Sequence, residues 1–72
     1  MKIETMLLKR GSEERRVLVA LRSGPAMLSL VSYASGVRNT QSVLRRLEAA
    51  GYVENTQRDT WALTAAGEEV VS

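Results

Sequence analysis

The sequence predicts a mainly α-helical domain finished by a small β-hairpin, and three observations predict it. Apolar residues recur at helical spacing in three segments between Ser12 and Gly51. Each segment is bounded by Ser, Asn, Gly or Pro, residues that start or stop helices. After Gly51 come two brief stretches rich in β-branched and aromatic side chains, parted by polar turn formers.

Each element can be justified in order. Ile3, Met6 and Leu7 stand at i, i+3 and i+4 in a short N-terminal segment, residues 1–11, which Gly11 closes. A helix that short is marginal alone in water, so it needs the body of the domain or a partner chain. Ser12 followed by Glu13 and Glu14 starts the first helix, 12–24: a hydroxyl caps free N–H groups and two carboxylates face the positive end of the dipole. Val17, Leu18 and Leu21 make its buried stripe, and Ser23-Gly24-Pro25 stops it. A second helix is expected over Met27 to Ala34, with Met27, Leu30, Val31 and Ala34 turned inward and Ser29 and Ser32 outward. Ser35-Gly36 breaks it, Val37 plugs the turn, and a third helix runs from Asn39, its cap, to Ala50. Two helices joined by a tight Gly-containing turn, here 26–50, form a helix-turn-helix unit.

The remaining chain reads as a hairpin over 51–64 and a final turn or helix over 65–72. Tyr52-Val53-Glu54 and Thr60-Trp61-Ala62-Leu63 flank a polar tip, Asn55 to Asp59. Trp61 and Val53 supply the face that packs, because a two-stranded ribbon needs support. Thr64 caps the last helix, whose Val70 and Val71 return to the core. Tyr33 and Tyr52 are expected at core edges with wet hydroxyls.

Composition narrows the function. Seventy-two residues make one domain, near the lower limit for folding unaided, with 44% hydrophobic and 4% aromatic residues. There is no Cys and no His, which removes disulfides, thiolate and imidazole metal sites, Cys nucleophiles and His general bases. Glu13-Glu14 and Glu68-Glu69 are adjacent pairs whose members point about 100° apart, so neither converges on a reacting atom. Ser12, Ser23 and Ser35 occupy cap and turn positions. The expectation is therefore no enzyme, no cofactor and no metal. The longest apolar run, Val17 to Leu21, is far short of the ~18 residues of a membrane span. Lys2 is not followed by the apolar core of a signal peptide, so a cytoplasmic, nucleoid-associated protein is expected.

The formal net charge is only +2, but eight of the ten basic residues are Arg. Arginine's planar fork suits phosphate and guanine; an Arg-rich genome accounts for the same bias.

From Val43 to Gly67 the wording resembles the MarR-like branch of winged helix-turn-helix regulators. The blocks are Leu44-Arg45-Arg46-Leu47-Glu48-Ala49-Ala50-Gly51-Tyr52-Val53 and Trp61-Ala62-Leu63-Thr64-Ala65-Ala66-Gly67. They resemble the family phrases "RLE-x-x-G-(apolar)-V" and "(aromatic)-x-LT-x-x-G", and counted from Gly24 the likeness covers roughly two-thirds of the chain. The resemblance implies a winged helix-turn-helix, a three-helix core plus a two- or three-stranded wing, that binds double-stranded DNA and regulates transcription.

With Thr40, Val43, Leu44 and Leu47 buried, a helix over 39–50 turns Arg38, Ser42, Arg45 and Ala49 the other way, with Gln41 and Arg46 on the edges. Arg38 to Arg46 holds three Arg and no acid. In a major groove, Arg38, Gln41 and Ser42 would approach bases, with Asn39 and Thr40 beside them. Arg45, Arg46 and the wing's Arg58 would meet phosphates, the wing (54–60) lying on the backbone. Taken alone, such a face is more often solvated surface. A homodimer reading two half-sites is expected, with contacts from Ile3, Met6, Leu7 and the Val70-Val71 turn, segments that could equally be ordinary core. The alternative is a protein-interaction module that uses the same fold to bind a polymerase or another partner.

Overall fold

The computed structural model describes residues 12–71; the N-terminal segment lies outside them, and with it the Ile3, Met6 and Leu7 contacts. Among the described residues the chain forms four helices and a three-stranded antiparallel sheet. In order these are α1 (Glu13–Ala20), β1 (Ala26–Met27), α2 (Leu28–Ser35), α3 (Thr40–Ala49), β2 (Val53–Gln57), β3 (Thr60–Leu63) and α4 (Ala65–Val71). The layout is compatible with a winged-helix arrangement. No helix among the described residues is long and apolar enough to cross a membrane.

α1 starts as expected: the Ser12 hydroxyl accepts the Arg15 N–H at 3.2 Å, and Glu13 and Glu14 occupy the first turn. Val17, Leu18 and Leu21 are fully buried. They meet Val31, Val37, Val43, Leu44, Leu47, Val53, Trp61 and Val71 in one core. Trp61 is thus a core ring, and Tyr52 is half-buried against the same core cluster.

β1 is a strand the sequence reading folded into the second helix. Ala26 pairs with Trp61 and Met27 with Thr60, which puts β3 at the centre of the sheet. The Leu28 N–H extends this pairing to the Asp59 carbonyl at 2.8 Å. The pairing also sets the phase of α2, which corrects the expected stripe. Val31 and Ser35 face inward and Leu28 is half-buried, while Met27, Leu30, Tyr33 and Ala34 are exposed. Tyr33, expected at a core edge, is 87% exposed. The physical reason is that α2 carries apolar residues on all sides, so periodicity alone could not choose a face.

The hairpin is longer than its apolar residues suggested. β2 runs to Gln57, with a bulge between Asn55 and Gln57 and a two-residue connection at Arg58-Asp59. The Asn55 amide donates toward the carbonyls of Gln57, Arg58 and Thr60, each at 3.0 Å, and so shapes the tip.

Thr64 joins the hairpin to both neighbouring helices. Its hydroxyl donates to the Gly51 carbonyl at 2.6 Å and accepts the Gly67 N–H at 3.2 Å, capping α4. Gly67 lies against the Tyr52 carbonyl, where any Cβ would collide with backbone. That explains a glycine inside a helix, a position where Ala is otherwise favoured by ~1 kcal/mol. At the end of α4 Val71 is buried and Val70 half-buried against the core.

Gly67→Ala tests this packing by its sign. Helix propensity alone predicts a gain of ~1 kcal/mol; the collision predicts a loss of about 2–3 kcal/mol, read from the urea midpoint. A stabilised variant would contradict the close approach of α4 to Tyr52.

Candidate nucleic-acid interface

The candidate interface is built on α3. Thr40, Val43, Leu44 and Leu47 are buried, while Gln41, Ser42, Arg45, Arg46, Glu48 and Ala49 are exposed. The inner four recur at three- and four-residue steps, so the outer residues have one direction in which to point.

The turn that leads into α3 is held by its own side chains. Gly36 takes φ 68°, a left-handed cap that a β-carbon disfavours. The Ser35 hydroxyl accepts the Val37 N–H at 3.3 Å, and Thr40 donates its hydroxyl to the Val37 carbonyl at 2.8 Å. From α1, Arg16 Nε donates to the Ser35 carbonyl at 3.0 Å. Val37 is buried beneath this network. Arg38 and Asn39 thereby stand exposed immediately ahead of α3.

Asn39 holds the cap position, yet its side chain makes no capping hydrogen bond. Thr40 is the residue the structure withdraws from the expected set. It is buried and its hydroxyl is committed to the turn, so it shapes the interface without presenting a group to it.

Arg46 has an ion-pair partner within the domain. Its guanidinium donates to Glu14 Oε1 at 2.7 Å, with the two side chains 51% and 7% exposed. Glu14 was expected only to serve the α1 dipole; it also ties α1 to α3. A nearly buried carboxylate needs that partner, because desolvation penalises an uncompensated charge. Arg46 is therefore spent inside the domain first. By contrast, Arg38, Arg45 and Arg58 enter no ion pair among the described residues.

Two shallow hollows flank the outer face of α3. On the α2 side, about 380 Å³ is lined by Ser29, Ser32, Arg38, Asn39 and Gln41 with Leu28 and Thr40. On the hairpin side, about 250 Å³ is lined by Gln41, Arg45, Glu48, Asn55, Arg58 and Asp59 with Leu28 and Trp61. Gln41 borders both and so stands on the ridge between them. The structure thus gathers Gln41, Arg45 and Arg58 in one hollow and Arg38, Asn39 and Gln41 in the other; Ser42 is exposed beside them.

Sequence reasoning missed Ser29, Glu48, Asn55 and Asp59. Glu48 was one turn from Arg45 and on the same face by helical spacing, so it could have been found. Asp59 at the hairpin tip could have been found too. Both weaken the basic character inferred from Arg38 to Arg46, because each sets a carboxylate in the hollow that holds Arg45 and Arg58. Ser29 becomes visible only once the phase of α2 is known.

No protein family, curated protein or solved structure matches the chain.

The two neighbouring arginines are predicted to separate cleanly in stability. Arg46→Ala leaves Glu14 buried without its partner and costs about 1–3 kcal/mol in chemical denaturation. Arg45→Ala, at an exposed site, stays within about 0.5 kcal/mol of the parent. Equal losses would contradict the assignment of Arg46 to Glu14.

Proposed function

We propose that this chain is a small double-stranded-DNA-binding protein of the winged helix-turn-helix type, acting as a transcriptional regulator. One observation carries the reading: the exposed face of α3 bears Gln41, Ser42 and Arg45, with the uncommitted guanidiniums of Arg38 and Arg58 on either side. The order of elements and the MarR-like wording of Val43 to Gly67 support it. In this reading α3 enters the major groove. Gln41, Ser42, Arg38 and Asn39, near its N-terminal end, face base edges, while Arg45 and Arg58 neutralise phosphates on the hairpin side. Each cation contributes through counterion release, so affinity falls steeply with salt. Glu48 and Asp59 oppose phosphate in the same hollow, which keeps non-specific affinity modest and leaves discrimination to the ridge. A domain of this size buries limited surface on DNA, so a homodimer on two half-sites completes the proposal.

A second reading rests on a different observation. α2 presents Leu30 and Tyr33 outward, at 56% and 87% exposure, with Met27 of β1 exposed just ahead of it and no charged residue anywhere in the helix. Such a surface suits a protein partner, a polymerase or another chain.

Fluorescence anisotropy on a random duplex at low salt separates the two. The DNA reading predicts binding at micromolar protein. Arg45→Ala and Arg58→Ala each weaken it on all sequences and reduce the salt slope by roughly 0.9. Glu48→Gln should tighten binding at the same salt. Absence of binding at micromolar protein, or slopes unmoved by either arginine, would favour the interaction module.

A further inference from the structure

The hairpin tip is bound down more tightly than its exposure suggests. Arg58 and Asp59 alone join β2 to β3, and the bulge between Asn55 and Gln57 takes part of β2 out of the regular ladder. An exposed tip beside a broken ladder is ordinarily the first part of a hairpin to open. Here the carbonyls of Gln57, Arg58, Asp59 and Thr60 each meet a donor. The Asn55 side chain reaches those of Gln57, Arg58 and Thr60 at 3.0 Å, its two N–H groups shared among three acceptors. The Leu28 backbone N–H reaches that of Asp59 at 2.8 Å. One side chain thus pins the tip to its own strand, and one backbone bond pins it to the start of α2.

What these bonds enclose is Arg58. Its carbonyl is one of the three that Asn55 holds, and its guanidinium enters no ion pair among the described residues. It lines the same hollow of about 250 Å³ as Asn55, Arg45 and Gln41. A cation on a loose tip must give up backbone as well as side-chain freedom when it meets an anion. On a fixed tip the backbone share of that loss is already made at folding. Placement matters here as much as charge, because Glu48 and Asp59 line the hollow too and compete for a guanidinium free to wander.

We propose that Asn55 is a positioning residue: its carboxamide holds the hairpin tip so that Arg58 stands over the hollow with Arg45, the two forming a clamp for one backbone phosphodiester. The phosphate contact rests on the DNA reading given above; the holding of the tip does not.

Two measurements on the labelled full-length protein separate these parts. In the free protein, the backbone order parameter at Arg58 should stand near the ~0.85 of rigid structure and fall below ~0.6 in Asn55→Ala. Thr56→Ala, at an exposed neighbour, should leave it unchanged. Anisotropy with a random duplex at low salt then tests the use of the tip, and Asn55→Ala alters no charge. It should weaken binding about threefold or more where Arg58 is present, but less than about 1.5-fold once Arg58→Ala is in place, since nothing is left to position. A merely structural role would cost the same in both backgrounds. That equality, or an Arg58 order parameter unmoved by Asn55→Ala, would overturn the proposal. A parent protein that binds no duplex would instead overturn the DNA reading and remove the phosphate contact, while relaxation in the free protein would still decide whether Asn55 holds the tip.

Discussion

The seating of α3 governs the rest of the molecule. Val43, Leu44 and Leu47 are buried almost completely, and each such side chain contributes about 1.5–3 kcal/mol relative to exposure. Turning the helix by one residue, about 100°, would bring these aliphatics into water and drive polar neighbours into the core. That penalty is comparable to the whole stability of a domain this small. The outward direction of Gln41, Ser42 and Arg45 is therefore a by-product of the core, fixed before any ligand arrives. The Ser35–Val37–Thr40 turn and the Arg16 contact to Ser35 add a second restraint, since they set where the helix begins.

The Glu14–Arg46 pair shows what the core takes from the surface. Four arginines were candidates for phosphate or base contact, and one is diverted to neutralise a carboxylate that α1 buries. The trade ties the first helix to the third and leaves three arginines uncommitted, on a face that also carries Glu48 and Asp59. The candidate surface is thus mixed in sign, in keeping with a net charge of only +2. On the proposed DNA-binding reading, a face of that kind would hold DNA weakly through charge alone and depend on fit at the ridge formed by Gln41.

What was legible in the sequence follows from how local each signal is. The α1 stripe, the inner face of α3, the buried Trp61 and the Thr64 cap all depend on residues within a turn or two of each other. Each was readable from spacing. The phase of α2 was not, because Leu28, Leu30, Val31, Tyr33 and Ala34 surround the helix and a strand partner chose the buried side. β1 is two residues long and takes its register wholly from β3, so no alternation existed to read. The Glu14–Arg46 pair joins residues 32 apart in sequence, beyond any periodic argument. Gly67 was legible as a pattern, but its reason, the nearby Tyr52 carbonyl, belongs to tertiary structure.

The most direct measurement is a two-dimensional NMR titration of the labelled full-length protein with a short duplex at low salt. The account predicts that the largest amide shifts fall at Arg38, Asn39, Gln41, Ser42, Arg45 and Arg58, with Val19, Leu30 and Tyr33 unmoved. Shifts concentrated at Leu30 and Tyr33, or none at α3 at saturating duplex, would contradict it.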